Sequence, residues 1–234
     1  MKDKTDVSLA FNATAIQKEP FGTALNAYNK QVPAGSSENL TATLESGQNA
    51  VLTEDVTYPK TPNDQTYIEV NMKGDNSVLD LNNHTLTIPF ISGVFQGKGT
   101  IQNGTVSTTN GHYPLFIGNN TLETDITVKN VKVINGGINV YAAKVVIENC
   151  YVDASNKRWH AVWGDQGSDI LIKSGTYISG TEGKAALNGE NAVMKIEGGK
   201  FNTSVEDYVS EGFKQVTEQD ENGKTWYVVV PATA

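Results

Sequence analysis

A parallel β-solenoid is the fold this sequence predicts. Three observations predict it: a repeat of alternating apolar residues, a small polar residue at one fixed phase of that repeat, and a composition rich in turn formers. Six stretches share one frame. They carry Leu79, Leu81, Asn83 and Leu86; Gly99, Ile101, Asn103 and Val106; Ile126, Val128, Asn130 and Val133; Val145, Ile147, Asn149 and Val152; Ile170, Ile172, Ser174 and Tyr177; and Met194, Ile196, Gly198 and Phe201. The second positions, 81, 101, 128, 147, 172 and 196, lie 20, 27, 19, 25 and 24 residues apart. Self-similarity at such a period is the mark of stacked repeats. The 234 residues include 22 Gly and 23 Asn, and only 38% are hydrophobic.

Alternation with period two describes a strand with one buried face. The phase breaks after the second apolar residue, at Asn83, Asn103, Asn130, Asn149, Ser174 and Gly198. Asn and Gly adopt left-handed backbone angles at low cost, so the chain is expected to bend there. A third apolar segment follows in most units: Leu115 to Ile117, Ile138 with Val140, Ala161 to Trp163, and residues 184–187. Strand, bend, strand, loop, strand and loop make one coil. Coils stack in parallel at about 4.8 Å, and insertions enter only the loops, which accounts for the uneven spacing. Asn83, Asn103, Asn130 and Asn149 are expected to form a side-chain ladder at the bend, satisfying polar groups inside it. An antiparallel sandwich also shows short alternating strands, but it does not need Asn at the same phase of each unit.

Open strand edges at both ends of a stack need covers. At the first end, Ser36 and Ser37 cap a short helix holding Glu38, Leu40 and Leu44, with Gly47 stopping it. At the last end, Ser204 and Asp207 predict a second helix with Val205, Tyr208 and Val209 on one face, stopped by Gly212. Residues 213–216 and 226–230 then flank Asn222 and Gly223, an Asn-Gly hairpin signal. The first 35 residues do not fit the repeat. Val7, Leu9 and Phe11 alternate as in a strand, while Phe21, Leu25 and Tyr28 recur at helical spacing. Two readings stand for them: padding for the end of the solenoid, or an arm that docks on another chain. Val32, Pro33, Ala34 and Gly35 read as its linker. The expected organisation is an arm over 1–35, the solenoid over 36–203 and a cap over 204–234.

Charge and cysteine content narrow the function. The net charge is −8 and Arg158 is the only arginine, which argues against nucleic acid and anionic membrane as partners. The longest apolar run is five residues, 226–230, against the roughly 20 of a membrane-spanning helix. The opening residues mix both charge signs with no apolar stretch behind them, so no secretory signal is expected. With Cys150 alone, neither an intrachain disulfide nor a cysteine-based zinc site forms.

The coil pattern with its asparagine corner resembles the right-handed parallel β-helix of the pectin-lyase-like superfamily, over about residues 37–230. The ending Tyr208, Val209, Gly212 and Phe213 is similar to the C-terminal segment of β-helix proteins of gut bacteria and their phages. That superfamily holds lyases, hydrolases, adhesins and phage fibre or tailspike proteins. Its lyases need a base beside bound Ca²⁺; the only arginine, Arg158, lies next to Lys157 in a polar loop that reads as a surface turn. Its hydrolases use paired carboxylates, yet their usual Asn-Thr-Asp, Asp-Asp, Gly-His-Gly and Arg-Ile-Lys motifs are missing. Asp165 and Asp169 read as turn residues. His84, His112 and His160 fall at different phases and are not expected on one face, so no metal or other cofactor is expected.

The remaining feature is an aromatic group in the middle loops: Tyr113, Tyr141, Trp159, His160 and Trp163. Rings on a rigid lateral face stack on sugars and hydrogen-bond their hydroxyls. The competing reading makes Trp163 a core residue and Trp159 a loop shield or protomer contact. The sequence with its resemblance is therefore read as a non-enzymatic virion component, a phage head fibre or decoration protein. Residues 1–35 would anchor it to a capsid or other virion protein, its aromatics would touch glycans, and a homo-oligomer, with a trimer favoured, would form. The alternatives are a secreted polysaccharide lyase or hydrolase, and a bacterial cell-surface adhesin module.

Overall fold

The computed structural model describes residues 30–60, 67–89, 92–109, 112–155, 159–180, 185–189 and 191–232. Val7, Leu9, Phe11, Phe21, Leu25 and Tyr28 lie outside the described residues, as do Lys157 and Arg158. The chain is a parallel β-solenoid of about five turns with three sheets around one core. The elements are β1 (Gln31–Ala34), α1 (Ser37–Glu45), β2 (Asn49–Leu52), β3 (Val56–Thr57), β4 (Tyr67–Asp80), β5 (Thr85–Ile88), β6 (Ser92–Thr108) and β7 (Tyr113–Ile117). They continue with β8 (Asp125–Ile134), β9 (Ile138–Tyr141), β10 (Lys144–Glu148), β11 (Cys150–Asp153), β12 (Val162–Asp165) and β13 (Asp169–Ile172). The last are β14 (Gly175–Ile178), β15 (Leu187–Asn188), β16 (Val193–Ile196), β17 (Gly199–Phe201), β18 (Phe213–Gln219) and β19 (Thr225–Pro231).

The first sheet stacks β1, β2, the ends of β4, the middle of β6, the start of β8, then β10, β13 and β16. The second stacks β3, β5, the ends of β6 and β8, β11, β14 and β17. The third stacks the starts of β4 and β6, then β7, β9, β12 and β15. All these pairs are parallel. Register puts like on like: Ile101, Val128, Ile147, Ile172 and Ile196 lie over one another on the first sheet. Leu86, Val106, Val133, Val152, Tyr177 and Phe201 do so on the second. All eleven side chains are fully buried. Each such burial is worth about 1.5 to 3 kcal/mol against exposure, so the two columns supply much of the apolar driving force.

The expected frame slips by two residues in its first unit. Ile101 pairs with Leu79, not Leu81, while Val106 still pairs with Leu86. Two extra residues therefore sit in that corner, and Asn82 and Asn83 both take left-handed angles there. A shift of two keeps every side chain on its face, so alternation alone does not reveal it. The other expected bends at Asn103, Asn130 and Asn149 have φ of 61°, 54° and 51°. In the last two units the left-handed residue moves one position on, to Gly175 and Gly199.

The first cap forms as its residues dictate. The Ser36 hydroxyl accepts from the Asn39 N–H at 3.2 Å, and Leu40 and Leu44 are fully buried. The expected linker is a correction: Val32, Pro33 and Ala34 belong to β1, the outermost rung of the first sheet. Ala34 turns its carbonyl to Thr53, so Pro33, one residue earlier, faces the free edge, where its missing N–H blocks further strand pairing. The expected C-terminal helix is also corrected, to a single 3-10 turn at Glu206–Tyr208. Ser204 does not cap it; the hydroxyl bonds Gln215 instead, and Val209 bridges to Ile196 as the start of a further coil. The hairpin of β18 and β19 then lays β19 antiparallel on β17 and ends the parallel stack. Its turn is held by Asp220, which accepts from the N–H groups of Asn222 and Lys224 and from the Trp226 indole at 3.1 Å.

Candidate functional site: an aromatic strip beside a glycine corner

Neighbouring coils on the third sheet lie in strict register, with Phe116, Asn139, Trp163 and Asn188 in one outward-facing row. The strands before this row enter it from the corner between the second and third sheets. There Gly136 and Gly137 occupy one coil, with His112 and Tyr113 on the coil before and Trp159 and His160 on the coil after. A Cβ on Gly136 would lie 2.2 Å from the His112 carbonyl oxygen, and one on Gly137 2.2 Å from that of His160. Only glycine fits this approach. The dent it leaves lets side chains two coils apart meet: the rings of His112 and Trp159 are 4.7 Å apart, and those of Tyr113 and Trp159 5.8 Å.

Trp163 extends the cluster along the sheet. Its ring lies 5.8 Å from Tyr113 and 6.4 Å from His160. The structure thus brings together Tyr113, Trp159, His160 and Trp163 of the expected group. Tyr141 sits further along, against Phe116 at 6.1 Å. Phe116 and His112 belong to the strip although the sequence reading passed over them. Tyr113 is buried, while Trp159, Trp163, Phe116 and Tyr141 are half-buried, so the strip presents ring surface outwards. His112 and His160 flank the same two glycines, which corrects for this pair the expectation that the three histidines do not share a face; His84 lies elsewhere, beside Asp55.

The polar groups of the strip are of two kinds. His160 Nδ1 lies 2.8 Å from the Ala185 carbonyl and donates to it, leaving Nε2 to accept from the Asn188 amide at 3.4 Å. That pair of partners selects the neutral tautomer protonated on Nδ1. By contrast, the Tyr113 hydroxyl and Asn139 Oδ1 are buried with no hydrogen-bond partner. Burial pushes the Tyr113 hydroxyl far above the usual phenol range; the His160 backbone is near enough to oppose this slightly but makes no bond of ordinary geometry.

The asparagine corner is a separate feature, where the first sheet turns into the second. Asn149 donates its side-chain amide to Asn130 at 2.8 Å, and Asn130 to Asn103 at 3.2 Å. Asn103 then donates to the Asp80 carboxylate at 3.3 Å. Asn83 supplies no side-chain rung, a correction that goes with the register slip: its backbone N–H donates to the Asn103 carbonyl, and the Asn103 amide turns to Asp80 instead. At the other end, the Ser174 hydroxyl accepts from the Asn149 N–H at 2.8 Å. Asn130 and Asn149 are exposed, so this ladder runs along the outer edge of the corner instead of inside it. A second ladder, unforeseen, crosses the first coils of the third sheet: Gln96 donates to Asn71, Asn71 to Glu45, and Thr121 bonds Gln96.

The charged groups serve the stacking. Lys98, Asp125, Lys144 and Asp169 follow one another in register; the Asp125 carboxylate pairs with the Lys144 ammonium at 3.7 Å, and Lys98 pairs with Glu123 at 2.8 Å. Asp165 accepts from Gln166 N–H and the Asn191 amide, as a turn residue does. Among the described residues no three His, Cys, Asp or Glu side chains converge as a metal site would require. Also among the described residues, no helix is long and apolar enough to cross a membrane. No family model, curated protein or solved structure matches the chain.

Proposed function

We propose that this chain is a non-enzymatic attachment module that binds glycan along the strip formed by Tyr113, Trp159, His160 and Trp163. The observation that carries the reading is the meeting of Trp159 with His112 and Tyr113 across Gly136 and Gly137. Ring faces held by parallel strands lose little freedom when a sugar stacks on them, which favours binding by a small surface. The charged side chains support the same reading, because Asp125 pairs with Lys144 and Asp165 holds a turn. The resemblance of the coil and of the C-terminal segment to β-helix proteins of phages supports a virion component, a head fibre or decoration protein. In this reading residues 1–35 dock on a capsid protein and the solenoid assembles as a homo-oligomer, a trimer being favoured.

The test is retention of the purified chain on immobilised neutral glycans and mucins, with product analysis after long incubation. Retention without new reducing ends or unsaturated products supports the reading. Depolymerisation of any of these glycans, or no retention on any of them, overturns it.

A further inference from the structure

We infer that Asn139, with the Tyr113 hydroxyl, forms the polar floor of a subsite for one ring hydroxyl of a neutral pyranose, and that Asn139 sets the orientation of that sugar. The inference rests on the glycan reading above. Among the described residues three buried side-chain polar atoms lack a hydrogen-bond partner: Tyr113 Oη, Asn139 Oδ1 and Ser210 Oγ. Two of the three adjoin one ring. Trp163 pairs in register with Asn139, and its ring lies 5.8 Å from that of Tyr113.

An unpaired buried polar atom is costly, and native chains rarely keep one without use. Asn139 is only 5% exposed and lies between Phe116 and Trp163, where an apolar side chain would extend the row. Elsewhere this chain satisfies its amides in ladders from coil to coil. At Asn139 it does not.

The chemistry of the two atoms selects the ligand. Asn139 Oδ1 only accepts, so the group seated on it must donate, as a sugar hydroxyl does and an ionised carboxylate does not. The Tyr113 hydroxyl either donates or accepts. A sugar hydroxyl satisfies both atoms at once, while the C–H face of its ring lies on Trp163. Both atoms are covered in the free chain, so binding moves the half-buried Trp163 ring and changes its fluorescence.

The experiment is fluorescence and calorimetric titration of the full chain with a panel of neutral gluco-, galacto-, manno- and xylo-oligosaccharides, alongside their uronic-acid counterparts. Expected is saturable binding of a neutral member, loss of binding in Trp163→Ala, and at least tenfold weaker binding in Asn139→Leu with a raised melting temperature. Tyr113→Phe, which keeps the ring, is expected to weaken binding severalfold and serves if Asn139→Leu does not fold. Affinity unchanged in Asn139→Leu, or in Tyr113→Phe where that variant stands in, overturns the inference and leaves the glycan reading intact when Trp163→Ala has lost binding. Preference for the uronic acids also overturns the inference alone. Absence of binding by the wild-type chain, or binding unchanged in Trp163→Ala, overturns both.

Discussion

The side-chain amide of Asn103 donates to Asp80, 23 residues earlier, and not to Asn83. Asp80 also accepts from Gln31 and Gln102, and from the Asn82 N–H. One carboxylate thus terminates the ladder, ties it to β1 and stabilises the widened corner.

That arrangement separates two asparagines of similar backbone angle. Asn130→Gly keeps the left-handed bend but removes two rungs, and is expected to lower the unfolding free energy by about 1 to 2 kcal/mol. Asn130→Ala adds the left-handed penalty of about 1 kcal/mol. Asn83→Gly removes no rung and is expected to stay within about 0.5 kcal/mol of wild type. Denaturant unfolding followed by circular dichroism reads all three, and equal losses at positions 83 and 130 would contradict the ladder.

Gly137→Ala places a methyl against two carbonyl oxygens, of His160 and Ala161, and against the Tyr113 ring. The corner must open, at a cost of about 1 to 3 kcal/mol, and Trp159 loses its seat on Tyr113. Thermal unfolding measures the first effect, and near-ultraviolet circular dichroism of the tryptophans the second. An unchanged aromatic spectrum would show that the glycines do not set the strip.

Cys150 is buried, and burial pushes its thiol up to about 11. A folded value above the unfolded one means that its contribution to stability is complete below the unfolded pKa, near 8.5. The contribution is then lost as pH rises through the folded value. At pH 8 a thiol reagent is expected to modify Cys150 only as fast as the solenoid opens, with a rate that climbs steeply near the denaturation midpoint. Rapid labelling of the native chain would place Cys150 outside the core.

Asp220 is held below the usual carboxylate range, first by the Trp226 indole N–H and then by the Lys224 backbone N–H. The sign is the opposite of that for Cys150: its contribution is present above the unfolded pKa and disappears as pH falls through the depressed folded value. Acidification is expected to loosen the β18–β19 hairpin before the coils, with Trp226 fluorescence reporting it. Asp220→Asn is expected to remove that acid-dependent step; a wild-type acid transition persisting in the variant would contradict the assignment.

The solenoid was legible because its cause is local and periodic. Alternation fixes faces, and Asn103, Asn130 and Asn149 mark bends through a backbone preference that needs no tertiary context. The slip between Leu79 and Leu81 was hidden because a two-residue shift preserves that alternation. The helix expected after Ser204 failed because Gln215 of the hairpin captured the capping hydroxyl and Ile196 captured Val209. In the strip, ring types drew attention to Trp159 and Trp163, but what joins them to His112 and Tyr113 is a space two coils wide. The signal for that space was the pair Gly136 and Gly137, whose meaning depends on which carbonyls lie on either side.

The most direct test of the glycan strip uses the indole N–H resonances of the three tryptophans during titration with the best-retained neutral oligosaccharide. Trp159 and Trp163 are expected to shift in a saturable manner while Trp226, at the hairpin turn beside Asp220, stays in place. Saturable binding with no shift at Trp159 and Trp163, or with the shift confined to Trp226, would contradict the account.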